Sequence, residues 1–453
     1  MAILSKSEAK ALLNKVIGYS KADAIECNLN GEVSGNIRTA RNTVSTAGEL
    51  NDTILTVQSS FGKKLGTAST NEFSDNALER VVRRSEELAR LAPDNPEFMP
   101  ILGPQEYVDV KTYFQSTADV NPDWRASAAD ASISASKAEG LVSSGFLNDS
   151  ATFAAIMNSE GLFAYNQATD INFSATIRTA DGKGSGWVYR DFHDASLMDT
   201  NEASNVAVKK AIASADGKAM EPGKYTVIME PAATVQLLLN MFNAMDQRQA
   251  DEGRSFLSNK SEEPDAPKNR LGQKMFDERV NIYTDPQDPD TPTHPFSGDG
   301  AAVKRTDWIK DGVVTTMPNS RYWAEKTGVE YVPTPFTGGG LFGGSPSISM
   351  VGGDESLEDM IKNTRRGVLV TRLWYIRSLD PQSLMYTGLT RDGTFYIENG
   401  EIKYPIKNFR FNESPIIMLN NLEALGKPQR IQGCMIPPMK IRDFTFSSLS
   451  DAV

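Results

Sequence analysis

Two spacings of apolar residues alternate along this chain, and the switches between them mark its elements. Ala9, Leu12, Leu13, Val16 and Ile17 recur at the interval of one buried helical stripe, and Ser5 with Glu8 supplies a capping box ahead of them, so a first helix is predicted there. The period then falls to two. Residues 24–30, 35–43, 51–60 and 64–70 alternate or are rich in β-branched side chains and are separated by Gly and Asn, which predicts a strand meander. A second helix is expected over 74–91, with Leu78, Val81, Val82 and Leu88 on one face and the pairs Glu79/Arg83 and Glu86/Arg90 on the other, ending at Pro93.

Four prolines between 92 and 104 read as a linker, and an Ala/Ser-rich helix is expected over 120–141. Strands with turn signals at 158–161 and 181–186 follow, then a helix over 201–215. A helix–strands–helix order thus occurs twice before residue 220, without sequence identity between the copies. Residues 223–229 read as a strand. Pro231 opens a helix carrying Val235, Leu238, Leu239, Phe242 and Met245 at helical spacing, and the polar stretch 248–277 reads as a mobile connection. The remainder is rich in Gly, Pro, Thr and aromatics and is expected to be mostly β. The class is therefore α+β, divided into an N-terminal module at 1–92, a second α+β module at 105–220 and a C-terminal, mostly β part at 221–453.

Composition narrows the function classes. A net charge of -11 over 453 residues, with a pI near 5.0, opposes binding to phosphate backbones, so no nucleic-acid partner is expected. Two cysteines cannot make a disulfide framework, the N-terminus shows no secretory pattern, and no run approaches the ~20 apolar residues that span a bilayer, so a cytoplasmic chain without a membrane partner is expected.

Candidate chemistry is sparse. A locally formed zinc site wants paired imidazoles, and the two histidines, His193 and His294, are a hundred residues apart, with His294 in a Pro/Gly loop that suggests an exposed side chain. Asp285, Asp288 and Asp290 lack calcium-loop spacing because Pro286 and Pro289 interrupt them, so a solvated turn is expected. Gly338, Gly340 and Gly343 fit GxGxxG, but prolines precede and follow, and a flexible loop is the better reading. Ser345 lacks the second glycine of a nucleophile elbow. Cys434 has no nearby histidine to act as its base and reads as a small buried apolar residue. No catalytic residue and no metal ligand is assigned.

The long strings near the C-terminus carry more. Val370-Thr371-Arg372-Leu373-Trp374-Tyr375-Ile376-Arg377, then Tyr386-Thr387-Gly388-Leu389-Thr390-Arg391-Asp392-Gly393-Thr394-Phe395, then Ile397-Glu398-Asn399-Gly400 and Pro405-Ile406-Lys407-Asn408-Phe409-Arg410-Phe411-Asn412-Glu413-Ser414 resemble the signature of the TldD/PmbA family. Arg254-Ser255-Phe256-Leu257, Gly353-Asp354 ahead of Ser356-Leu357, and the ending Pro438–Phe444 sit where that family has similar segments. On local grounds Asp392-Gly393 and Asn399-Gly400 read as tight hairpin turns.

In the TldD branch of that family an HExxxH helix and a cysteine near the C-terminus are understood to hold a metal. The corresponding stretch here resembles Leu237-Leu238-Leu239-Asn240-Met241-Phe242-Asn243, without a histidine, and Cys434 takes no ligand role, which assigns the chain to the PmbA (TldE) branch. The resemblance implies a metal-free subunit of a proteolytic complex that cleaves extended peptides, with zinc expected only in a TldD-like partner and a homodimer as an alternative assembly. Peptide-binding candidates are Tyr375, Arg377, Thr390, Arg391, Asn408 and Arg410. Two other classes stay open: a peptidase with an unrecognised site, and an adaptor acting on a topoisomerase, as the family's label "modulator of DNA gyrase" suggests, or on a toxin–antitoxin pair.

Overall fold

The computed structural model describes residues 3–259, 261, 263, 266–333, 336, 337 and 345–450. The first helix is Lys6–Gly18, capped as its sequence requires: Glu8 N–H donates to Ser5 Oγ, and the Glu8 carboxylate accepts from Ser5 N–H at 2.8 Å. The second is Asp75–Leu91 behind Ser74.

Six strands, β1 (Ala24–Ala40), β2 (Thr43–Phe61), β3 (Lys64–Thr70), β4 (Val142–Asn158), β5 (Phe163–Arg178) and β6 (Ser185–Phe192), make one antiparallel sheet in the order β3-β2-β1-β4-β5-β6. The strand expected in two pieces around Gly35 is continuous. Glycines here mark close approach rather than turns: a Cβ on Gly35 would lie 1.9 Å from the Arg125 guanidinium, and one on Gly31 would lie 2.2 Å from the Phe153 ring. Arg125, buried, reaches across to Asp149 with Nε at 2.6 Å and Nη2 at 3.0 Å and also meets Glu49.

β1 pairs with β4 from Glu26↔Asn158 to Thr39↔Gly145, so the stretches expected as modules at 1–92 and 105–220 share one hydrogen-bonded layer. The helices Lys6–Gly18 and Asp75–Leu91 cover one half of it through Leu13, Val16, Leu29, Leu55 and Val82. Helices Pro122–Ala138 and Thr200–Ala213 cover the other through Ala128, Ala129, Phe173, Ile177 and Ala207. Small Ala side chains at those contacts let helix and sheet approach closely.

The C-terminal region is sheet-rich, as the α+β class requires. Strand β7 (Gly223–Met229) is central in a nine-stranded mixed sheet, parallel to Arg366–Val370 and antiparallel to Met439–Leu449. One edge of that sheet is Leu373–Asp380 and the other is Glu401–Pro405. A second, six-stranded sheet of short strands lies alongside, and the helix Pro231–Asn243 is packed in the core both sheets share. Phe242 meets Trp308 edge-on at 5.1 Å. The helix is apolar almost all round because it is enclosed; Ala232, Gln236, Asn240 and Asn243 make the one stripe left partly open.

Two expectations change in the C-terminal part. The stretch 248–277 is held rather than loose where described: Phe256, Leu257 and Phe276 are buried, and Ser258 bridges to Asn269. Asn399-Gly400 does form a hairpin turn, with φ of 51° and 80°. Asp392-Gly393 does not, since the strands it joins, Met385–Thr390 and Thr394–Glu398, pair with other neighbours. The GxGxxG glycines lie outside the described residues. No helix among the described residues is long and apolar enough to cross a membrane.

Candidate functional site

Among the described residues, the edge strand Leu373–Asp380 leaves one side of its backbone without a strand partner and carries large exposed side chains. It has a strand neighbour on one side, through Leu373↔Thr390, Trp374↔Leu389, Arg377↔Thr387 and Ser378↔Tyr386. Its register shifts between Trp374 and Arg377, and Tyr375 adopts φ 54°, in the left-handed region that a β-branched or bulky residue rarely enters. The bulge turns Tyr375 outward to 52% exposure, beside Trp374 at 40%. An edge strand with a free side can take a further strand, and this one also carries large side chains in the open.

A cavity of about 560 Å³ lies against this strand, with the partly open stripe of helix Pro231–Asn243 forming one wall. Gln236 and Asn240 face it, joined by an Nε2–H to Oδ1 bond of 3.2 Å. The opposite rim carries Arg372, Trp374, Tyr375 and Arg377, with Trp187 from β6 reaching in from the first sheet. The Arg372 guanidinium lies 3.9 Å over the Trp187 ring, Arg391 4.1 Å over Trp374, and Arg377 4.5 Å over Tyr375.

Asp392 anchors the set from behind. Its side chain is fully buried, accepting from Arg372 Nη1 at 2.6 Å and from Ser185 Oγ at 2.5 Å, with Arg391 Nε at 3.9 Å. At φ 57° Asp392 turns its carboxylate inward, where it ties the C-terminal sheet to β6. Burial, together with the charges of Arg178 and Arg372, holds the Arg391 guanidinium below its ordinary range, with Asp392 acting the other way.

The six candidate residues therefore divide. Tyr375 and Arg377 line the groove, and Arg391 is stacked behind them on Trp374 of its rim. Arg410, exposed, occupies the same cross-strand row as Trp374 and Leu389 and donates to Thr387 Oγ1 at 3.4 Å. Thr390 and Asn408 are placed elsewhere: Thr390 is buried, its hydroxyl donating to Asn408 Oδ1 and accepting from Phe409 N–H, and Thr394 bonds the same Asn408 oxygen. Asn408 lines a separate cavity of about 430 Å³ with Asp392 and Lys407. Trp187, Arg372, Gln236 and Asn240 went unassigned as site residues, because only the pairing of distant elements brings them to one groove.

The remaining titratable candidates are interior. His294 is buried rather than exposed, pushed down to about 4 by burial and by nearby His193, with Asn166 Nδ2 at 3.1 Å from its Nδ1. The Pro/Gly loop that carries it is folded under the face of β5. His193 is also buried, with Nδ1 2.6 Å from the Thr169 carbonyl oxygen, and burial followed by Arg430 lowers it. Burial pushes the Cys434 thiol up to about 12, which suits an inert core residue. Asp288 accepts from Tyr283 and from the N–H groups of Asp290 and Thr291, while Asp285 pairs with Arg305.

A zinc ion would need imidazole, thiolate or carboxylate donors at the groove. The helix stripe offers two neutral amides bonded to each other, and among the described residues no three His, Cys, Asp or Glu side chains converge. This donor set does not fit the metal.

Comparison with known proteins places these features in context. Residues 222–448 match the family model described as the PmbA/TldA metallopeptidase C-terminal domain, and residues 118–215 match the model of its central domain. A protein of Methanothermobacter thermautotrophicus described as a metalloprotease is 24% identical over 299 residues, 62% of each chain. The metalloprotease PmbA of Escherichia coli O157:H7 is 30% identical over 155 residues, 32% of each chain. The match thus spans less than two thirds of either relative. Among solved structures, a Thermotoga maritima protein described as a modulator of a DNA gyrase superposes with a TM-score of 0.85 at 18% identity, covering 97% of this chain and 100% of that one. TldE from Thermococcus kodakarensis gives 0.84 at 18% identity over 98% and 100%. At such identities these two show a shared fold.

Proposed function

Because the chain belongs to the PmbA/TldD metallopeptidase family, we propose that it is the substrate-holding subunit of a peptide-cleaving complex whose metal is supplied by a TldD-like partner. One observation carries this reading. The exposed edge strand Leu373–Asp380 runs beside the very helix where the family resemblance places metal-binding histidines, and in this chain that helix turns Gln236 and Asn240 to the groove instead. Strand-binding machinery is retained where ligand chemistry is not.

The mechanism follows from the edge. An extended or unfolded peptide adds a strand along Leu373–Asp380, so that main-chain N–H and C=O groups supply most of the affinity and alternate side chains meet the groove. Trp374 and Tyr375 offer large faces of low conformational entropy to those side chains, and the arginine stacks hold the aromatic rings in place. The buried Asp392 fixes the rim by binding Arg372 and Ser185 at once. Nothing in this arrangement activates water or a nucleophile. In this reading bond cleavage belongs to the partner, and a second copy of this chain can compete for the same surface.

The test is reconstitution. Mixing the chain with its TldD-like partner should give cleavage of an unfolded peptide that a chelator abolishes, and Tyr375→Ala should raise KM more than it lowers kcat. If the partner alone cleaves at full rate, and this chain neither binds it nor changes that rate, the subunit reading fails.

A further inference from the structure

We propose that the groove selects extended peptides carrying Asp or Glu side chains, an inference that rests on reading the groove as a peptide site. Its rim is built from three guanidinium–aromatic stacks: Arg372 on Trp187, Arg391 on Trp374 and Arg377 on Tyr375. Stacking holds a planar cation by its face and leaves its N–H edge to form a two-pronged bond with a carboxylate.

Counter-charge is short at this rim. Arg372 and Arg391 share the single buried carboxylate of Asp392, and Arg377 makes no ion pair among the described residues. The acidic residue at the far end of the strand, Asp380, accepts from the N–H groups of Gln382 and Ser383 and from the Ser383 hydroxyl. Arg178 adds to the positive field felt at Arg391. The other polar residues lining the groove, Gln236, Asn240 and Gln432, are neutral amides. Positive charge is thus concentrated at one place on a chain whose total is -11.

Geometry favours side chains over a peptide terminus. The edge strand runs for eight residues, so a peptide laid along it passes the groove rather than ending there. Side chains on one face of a strand recur every second residue, roughly 7 Å apart, which brings successive acidic residues past successive guanidiniums. The same field repels lysine at those positions.

The experiment is calorimetric titration of the full chain with three unstructured peptides, identical except for Glu, Gln or Lys at alternate positions, each made as free acid and as C-terminal amide. The Glu peptide should bind about tenfold more tightly than the Gln peptide, the Lys peptide should be weakest, and amidation should change little. Arg377→Gln should shrink the Glu-over-Gln preference to about twofold, Arg377→Lys should keep part of it, and Lys403→Gln on the opposite edge strand should leave it intact. Equal binding of all three peptides overturns the acidic selectivity while leaving the peptide reading standing. Loss of binding on amidation assigns the cations to the terminal carboxylate and overturns the proposal. Absence of binding by any peptide removes both.

Discussion

Asp392→Asn is the change that tests the site's construction most directly. Asparagine keeps the shape and tolerates the left-handed backbone at φ 57°, so the perturbation is confined to charge and hydrogen bonding. In the native chain the fully buried carboxylate accepts from Arg372 Nη1 at 2.6 Å and Ser185 Oγ at 2.5 Å. The amide can still accept with its one oxygen, but its NH2 then faces the other donor. One charge-assisted bond is lost, about 1.5–3 kcal/mol, and two guanidiniums lose their counter-charge. Breaking a buried ion pair costs about 3–5 kcal/mol, and because the Arg372 side chain remains 20% exposed to the groove, water recovers part of that. The expected destabilisation is about 3 kcal/mol.

Urea unfolding followed by tryptophan fluorescence reads this as a lower midpoint at unchanged slope. Trp187 and Trp374, stacked under Arg372 and Arg391, should report a local change below the main transition. Ser185→Ala alone should cost about 1 kcal/mol, and the double variant should be less destabilised than the sum, since both changes act on one carboxylate. A loss under about 1 kcal/mol for Asp392→Asn, or strict additivity with Ser185→Ala, would show that the carboxylate does not organise the rim.

Further outcomes are expected. Elemental analysis of the purified chain should find no stoichiometric zinc, and one tightly held zinc per chain would overturn the assignment of the metal to a partner. Duplex DNA titrated at physiological salt should show negligible binding, because a chain of net charge -11 displaces few counterions; submicromolar affinity with a steep salt slope would contradict this. Burial first, then the charge of Asp191, pushes the Asp170 carboxyl up to about 7. The folded state therefore favours its protonated form, and stability from this group is lost as pH rises from the unfolded value near 4 through about 7. Asp170→Asn should remove that decline, gaining about 1–2 kcal/mol at pH 8 after allowance for partial exposure and little at pH 4. His193 and His294, both lowered, act in the opposite sense over the acid range, so the wild-type minus variant difference curve is the quantity to measure, and a flat difference refutes the assignment.

Local signals in the sequence were legible to the extent that local physics decides them. The Ser5/Glu8 cap, the helix behind Ser74 and the Asn399-Gly400 turn lie where spacing and turn chemistry put them, because each is stabilised by neighbours a few residues away. Failures occur where a residue answers to a distant partner. Gly35 looks like a turn and is a strand residue making room for Arg125, ninety residues on. His294 looks like a loop residue and is buried because its loop folds under β5, where Asn166 takes the imidazole. The polar stretch after 248 looks mobile, but Phe256, Leu257 and Phe276 pin it, and three apolar anchors among many polar residues give no periodic signal.

The groove is the extreme case of that rule: some of its residues fall in strings that can be read locally, and its basic, aromatic character does not. Tyr375 and Arg377 lie in one of the strings near the C-terminus and Arg391 in the next, so reading those strings reaches them. Their electrostatic meaning depends on Arg178 at the end of β5, Trp187 on β6 and a helix some fifty residues further along, none of which any local pattern connects to residue 375. An acidic chain with a basic pocket is invisible to net charge, which averages over the whole surface, whereas recognition depends on the field within about 8 Å at physiological salt. Asp392 decides how strong that field is. Buried behind the rim, it offsets part of the charge of Arg372 and Arg391 while orienting both guanidiniums from one side. Folding this one acid into the seam between the sheets fixes the geometry of two of the cations on which the proposed preference for acidic peptides depends.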